Sequence, residues 1–321
     1  MVLFVRSSAS YRRLGASVSL LSKYVFETGY SCKMAARKVN AHSYTTLQPE
    51  GVAVPRPSAS LVLLDSQNRI LLTHRTSTIG SFANAHVFPG GNQDAKDTSP
   101  EFCAIRETFE ETGILLTTPP PSASLVQRFP EIRRDVHSRE HPLSFNKFLE
   151  ESGLEADVGG LIPFTTWITP PTMKKRYETR MFLGFLPSGA LVDSSQLPSS
   201  DGTETTSTSF MTAQEILTKL KENEIILFPP QAYLITRLSK FLGDGKGVEE
   251  QRERIKRWIG EEGVGRYVFE PRPEGKTKDG KRLILGYGPR GDLNRKSVLR
   301  FGKGGMPADL QIVEATEAAK L

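Results

Sequence analysis

Glu107, Glu110 and Glu111 stand at i, i+3 and i+4 in the run RETFEETG, residues 106–113. On a helix that spacing puts three carboxylates on one face. Like charges so placed repel, which costs stability unless a cation occupies the cluster. Hard oxygen donors of this kind suit Mg2+ or Mn2+, which take few protein carboxylates and complete their shell with water and substrate phosphates. Arg106 adjoins the glutamates and is placed to hold one of them by a charge-assisted bond. Most glutamate clusters are solvated stripes. One Arg, three Glu and a Gly at fixed positions make a more specific pattern than a stripe.

The element carrying this cluster has start and stop signals of its own. Ser99 is a cap, Pro100 occupies the first position and Gly113 closes the run, so a helix is expected over Ser99–Thr112. Phe102, Ile105 and Phe109 fall on its other side and are expected to pack inward. Gly90-Gly91 before it lets backbone approach the helix or a ligand closely. Upstream, Leu61–Leu64 and Ile70–Thr73 read as a strand pair around the turn Asp65-Ser66-Gln67-Asn68. Downstream, Ile114–Leu116, Leu161–Ile168, Met181–Phe185 and Thr203–Phe210 read as strands. Phe145–Leu149, Ala213–Glu222, Pro230–Leu242 and Glu249–Ile259 read as helices, and Leu283–Leu285 as a short strand. That order predicts a mixed sheet flanked by helices.

The chain has 321 residues, 38% hydrophobic, with a formal charge of +6. Its longest apolar runs, four or five residues, are far short of the 18 or more that span a bilayer. The charge is uneven: +5 over residues 1–50, −3 over 51–242, +6 over 243–304 and −2 at the end. A dedicated nucleic-acid domain would concentrate its positive charge on its own core, so nucleic acid is not the expected partner. Two cysteines, Cys32 and Cys103, give no disulfide framework.

The run Arg106–Ile114 resembles the second half of the Nudix box, which is G, five residues, E, seven residues, then R-E-U-x-E-E-x-G-U, with U a bulky apolar residue. Gly91 matches the first glycine. Asp97 stands where the family has Glu, eight residues separate it from Arg106, and Thr108 replaces a bulky residue. The resemblance implies a divalent-metal hydrolase of nucleoside diphosphates linked to another group. It also implies an α/β/α sandwich with a mixed sheet, here with an insertion and a C-terminal extension. Glu107, Glu110 and Glu111 are the implied metal ligands. Arg106 and Glu204, the latter resembling an acidic residue on a later strand, are the further catalytic candidates. Water attacks one phosphorus, and Glu107, Glu110 or Glu204 takes its proton, with the metal neutralising the phosphate oxygens.

Three features resemble the peroxisomal acyl-coenzyme A diphosphatase branch. They are the wording of the box, Trp167-Ile168-Thr169-Pro170 followed by Arg176-Tyr177-Glu178-Thr179, and the insertion near 117–160. A coenzyme A site needs cations for a 3′-phosphate, for which Lys174, Lys175 and Arg176 are candidates. It also needs an apolar channel for the pantetheine arm, for which Phe164 and Trp167 are candidates. The rival readings are a Nudix enzyme for ADP-ribose or NAD(H), a catalytically inactive nucleotide-binding module, and RNA binding by residues 243–304. Expected organisation is a leader over 1–50, a Nudix domain over 51–242 and an extension over 243–321. Residues 1–26 are basic, serine-rich and free of acids, as in a mitochondrial address. Ala319-Lys320-Leu321 resembles the Ser-Lys-Leu address read by a peroxisomal import receptor, on a stretch, Glu314–Leu321, expected to be a polar tail.

Overall fold

The computed structural model describes residues 52–75, 84–136, 143–187, 205–302 and 305–321. From Pro49 onward the chain forms one compact unit. Among the described residues, no helix is long and apolar enough to cross a membrane.

The elements begin with β1 (Arg56–Leu64), β2 (Ile70–Arg75), β3 (His86–Val87) and β4 (Gly90–Asn92), followed by α1 (Pro100–Thr112). The insertion holds β5 (Thr117–Thr118), α2 (Ala123–Val126), α3 (Phe129–Val136), α4 (Phe145–Ser152) and β6 (Glu155–Ala156). Then come β7 (Ile162–Ile168), β8 (Tyr177–Phe185), β9 (Thr205–Met211), α5 (Ala213–Lys221) and α6 (Pro229–Leu238). The last section has α7 (Val248–Glu262), β10 (Val268–Phe269), β11 (Arg272–Lys276), β12 (Leu283–Gly286), β13 (Arg295–Phe301), β14 (Pro307–Glu314) and α8 (Ala315–Ala318).

The central sheet runs β10-β7-β8-β1-β2-β3, with β4 also on β1 and β9 on β2. It is mixed: β1 pairs parallel with β8, and β2 antiparallel with β9. Residues alternate across a strand, and β1 sends Ala59, Leu61 and Leu63 to one core and Val62 and Leu64 to the other. The first core is closed by α1, α3 and α4; Phe109 meets Phe129, Phe145 and Phe148. The second is closed by α5, α6, α7 and a separate antiparallel sheet β11-β12-β13-β14. These are the α/β/α layers expected of the fold.

Four findings depart from the sequence reading. Ile114–Leu116 forms no strand: Ile114 N–H donates to Thr112 Oγ1 and the first two side chains are buried beside Phe109. Residues 314–321 are not a loose tail. β14 reaches Glu314, Ala318 is 4% exposed, and Lys278 N–H donates to the Leu321 carbonyl at 2.6 Å. Phe164 and Trp167 lie in the core, not on an open surface. Both are buried, Phe164 edge-on to Trp258 and Trp167 stacked on Phe269 at 4.3 Å, because the C-terminal section covers that face. Residues 243–321 therefore complete the core, β10 pairing with β7. Arg176 is 4% exposed, its nitrogens held by the Thr169 and Ala53 carbonyls and Glu270 Oε1.

Candidate active site

The helix forms where its signals place it. Ser99 Oγ accepts from Phe102 N–H at 3.1 Å, and Gly113 closes α1 at φ 75°, its N–H on the Phe109 carbonyl. Phe102, Ile105 and Phe109 are buried as expected. Thr108, the polar residue at a bulky position, is fully buried; its hydroxyl donates to the Ala104 carbonyl one turn back at 2.7 Å, so no polar atom is stranded.

Arg106 organises the acids. Its Nε and Nη2 each donate to Asp97 at 2.8 Å, and its Nη1 donates to Glu107 Oε1 at 2.9 Å and Glu110 Oε2 at 3.1 Å. Asp97 thus reaches Arg106 across the longer spacing. The loop is tightened by Asp94 N–H on Asp97 Oδ2 at 2.7 Å and Asp97 N–H on the Asp94 carbonyl. A bidentate carboxylate–guanidinium pair is a directional clamp.

Gly90 and Gly91 set β4 against the helix. A Cβ on Gly90 would lie 2.4 Å from the Ala59 carbonyl oxygen, and one on Gly91 2.4 Å from Glu107 Oε2. Gly90 N–H donates to Glu111 Oε2 at 3.2 Å, and Arg75 Nη1 stands 3.8 Å from Glu111 Oε1. Behind the cluster, Arg133 of α3 sends Nε and Nη2 to the Glu110 carbonyl at 2.9 and 2.6 Å. That carbonyl lies in the last turn of α1, where the helical bond is absent. Nothing in the local sequence of the insertion singled out Arg133.

Burial pushes the Glu107 carboxyl up to about 7; the Arg106 charge opposes this and the negative charge of Glu110 adds to it. Burial, with Glu107 and Asp97 nearby, also raises the Cys103 thiol, so it stays protonated.

The donor set fits a hard divalent cation. Asp97, Glu107 and Glu110, all hard oxygen donors, gather on one guanidinium, and Glu107 lies against the side-chain-free Gly91. The carboxylates turn toward Arg106 rather than a common centre, and no group of three acidic, His or Cys side chains forms a closed cage among the described residues. Glu107, Glu110 and Glu111 are the residues that would hold the ion. Glu204 lies outside the described residues; the adjoining β9 runs beside Arg75 of β2.

Lys174 and Lys175 are exposed in the β7–β8 loop. With Ala53, Val54, Arg56, Arg176 and Tyr177 they line a cavity of about 170 Å3. Arg56 escaped the sequence reading because an isolated Arg before a strand carries no signal. It lies three residues before Ala59, the partner of Gly91, hence about 10 Å along β1 from the glycine turn. Phe164 and Trp167 do not join this cavity.

The NUDIX domain family matches residues 54–145, and the NUDT19 Nudix domain family matches residues 101–238. An acyl-coenzyme A diphosphatase NUDT19 from Gallus gallus is 28% identical over 260 residues, covering 59% of this chain and 67% of that protein. The protein of the same name from Xenopus laevis is 27% identical over 271 residues, covering 65% and 68%. A crystal structure of a NUDIX hydrolase from Alicyclobacillus acidocaldarius superposes with a TM-score of 0.46 at 23% identity, over 57% of this chain and 90% of that one. With Gly91, Asp97, Arg106 and three glutamates assembled on one helix and its preceding turn, residues 54–238, which the two family models span, form a Nudix hydrolase domain.

Proposed function

We propose that this Nudix hydrolase cleaves the diphosphate of coenzyme A or its acyl thioesters, giving 3′,5′-ADP and phosphopantetheine or its acyl form. Nudix hydrolases generally use divalent metals, and Mg2+ or Mn2+ is the proposed ion here. The observation that carries the reading is the gathering of the Asp97, Glu107 and Glu110 carboxylates on one Arg106, packed against Gly91. Such a cluster suits an ion that neutralises phosphate oxygens and acidifies water when bound. The similarity to the two acyl-coenzyme A diphosphatases supports the substrate. So does the cationic cavity of Arg56, Lys174 and Lys175, at the end of β1 that carries the glycine turn. In this reading those three cations hold the 3′-phosphate.

Water adds to one phosphorus, the bridging P–O bond breaks, and the displaced phosphate leaves as an anion. Glu107 is the proposed proton acceptor among the described carboxylates, held beside Glu110 by Arg106. Arg106 keeps Glu107 and Glu110 on the same side of the helix, and Gly91, lacking a Cβ, leaves the space that the Glu107 carboxylate fills.

Purified protein with Mg2+ or Mn2+, given coenzyme A, an acyl-coenzyme A, ADP-ribose and NADH, is expected to release phosphopantetheine from the first. Turnover of ADP-ribose or NADH alone would replace the substrate assignment. Turnover of none would make the chain an inactive module.

A further inference from the structure

The positive excess of residues 243–304 takes no part in the site described above. Three of its cations lie together in space. Lys281 and Arg282 at the start of β12 and Arg300 on β13 meet Lys221 of α5 around a cavity of about 680 Å3 between α5, α6 and the C-terminal sheet. Its volume lies within the ordinary range of small-molecule sites. Its floor is aliphatic, from Leu217, Leu220, Ala232, Leu310 and Ile312, and among the described residues no aromatic side chain lines it.

Charge and floor together define the occupant. Arg300 is paired with Asp309 at 2.6 Å, and Arg282 bonds neutral Gln311. The lining carries four cations, Lys221, Lys281, Arg282 and Arg300, against two acids, Asp309 and Asp279, the latter held below its ordinary value in part by the charge of Lys281. The rim is therefore net positive over a floor that cannot stack a base or ring. We propose that this cavity binds an organic anion with an aliphatic body, the chain on the leucine floor and the anionic head between Lys221 and Lys281. It is separate from the diphosphate site: α5 and α6 pack the sheet face opposite α1.

The test is calorimetric titration of the whole chain with dodecanoate, dodecyl phosphate, dodecanol and inorganic phosphate. At least one dodecyl anion binds, identifying a carboxylate or a phosphate ester as the source, more than tenfold tighter than dodecanol or inorganic phosphate. Lys221→Gln with Lys281→Gln weakens that binding about three- to tenfold, as loss of two exposed ion pairs requires, without altering diphosphate hydrolysis. Glu107→Gln leaves it unchanged, so the result stands whether or not coenzyme A is the substrate. Equal binding of dodecanol, no binding of either dodecyl anion, indifference to the lysine pair, or loss with Glu107→Gln would each overturn the proposal.

Discussion

Glu107→Gln is expected to stabilise the metal-free protein at the pH where it abolishes turnover. In the folded chain burial lifts this carboxyl from 4.5 to about 7. A carboxyl raised on folding is at no disadvantage below its unfolded value, where both states hold the proton. Above that value the fold loses stability with rising pH until the folded group itself ionises, so the cost accrues between about pH 4.5 and 7. At about 1.4 kcal/mol per pH unit, the interval amounts to about 3 kcal/mol as an upper figure. A glutamine keeps the shape and never ionises. The variant should match wild type below pH 4.5 and exceed it at pH 8, by about 6–12 °C in Tm if 1 kcal/mol moves Tm about 2–4 °C. Mg2+ should then stabilise wild type and do little for the variant. The assay is scanning calorimetry of chelator-treated protein at pH 4.5 and 8, with turnover measured in parallel. A lower Tm at pH 8, or the same change at both pH values, would refute the reasoning; so would retained turnover, since a lost proton acceptor costs about 10²–10⁴ in rate.

Arg133→Met removes both donors to the Glu110 carbonyl and should cost about 1–3 kcal/mol in urea unfolding; a neutral result would mean that water replaces the guanidinium. Gly91→Ala places a Cβ within 2.4 Å of the Glu107 carboxylate, so a metal titration should show weakened binding with the fold retained by circular dichroism. His86 is held down to about 4 by burial and then by the stacked His74, and its Nδ1 has no hydrogen-bond partner. The unfolded chain therefore binds a proton first, and stability falls as pH drops from 6.5 to about 4; His86→Asn should flatten that limb of a Tm-against-pH curve.

The catalytic helix was legible because its signals are local. Ser99, Pro100 and Gly113 bound it, and the three glutamates are spaced by its turn. The first half of the box read as softened, yet Asp97 reaches Arg106 through a turn closed by Asp94. That closure joins the Asp94 backbone to the Asp97 carboxylate, a contact that the spacing of the box does not encode. Trp167 and Phe164 misled because aromatic residues fit a ligand channel and a core equally well. Their partners Phe269 and Trp258 come from a section that resembles nothing in the box. Arg176 looked like its neighbours Lys174 and Lys175, but Glu270 and two carbonyls draw it inward. Arg56 and Arg133 act through contacts distant in sequence, which periodicity and spacing do not encode.

The central claim is that this chain hydrolyses the diphosphate of coenzyme A by attack of water on phosphorus. Mass analysis of the products formed from coenzyme A with Mg2+ in 18O-labelled water tests it most directly. The account predicts phosphopantetheine and 3′,5′-ADP with one labelled oxygen in the phosphate of one of them. Coenzyme A left intact, or dephosphorylated coenzyme A with the label in free phosphate, would contradict it.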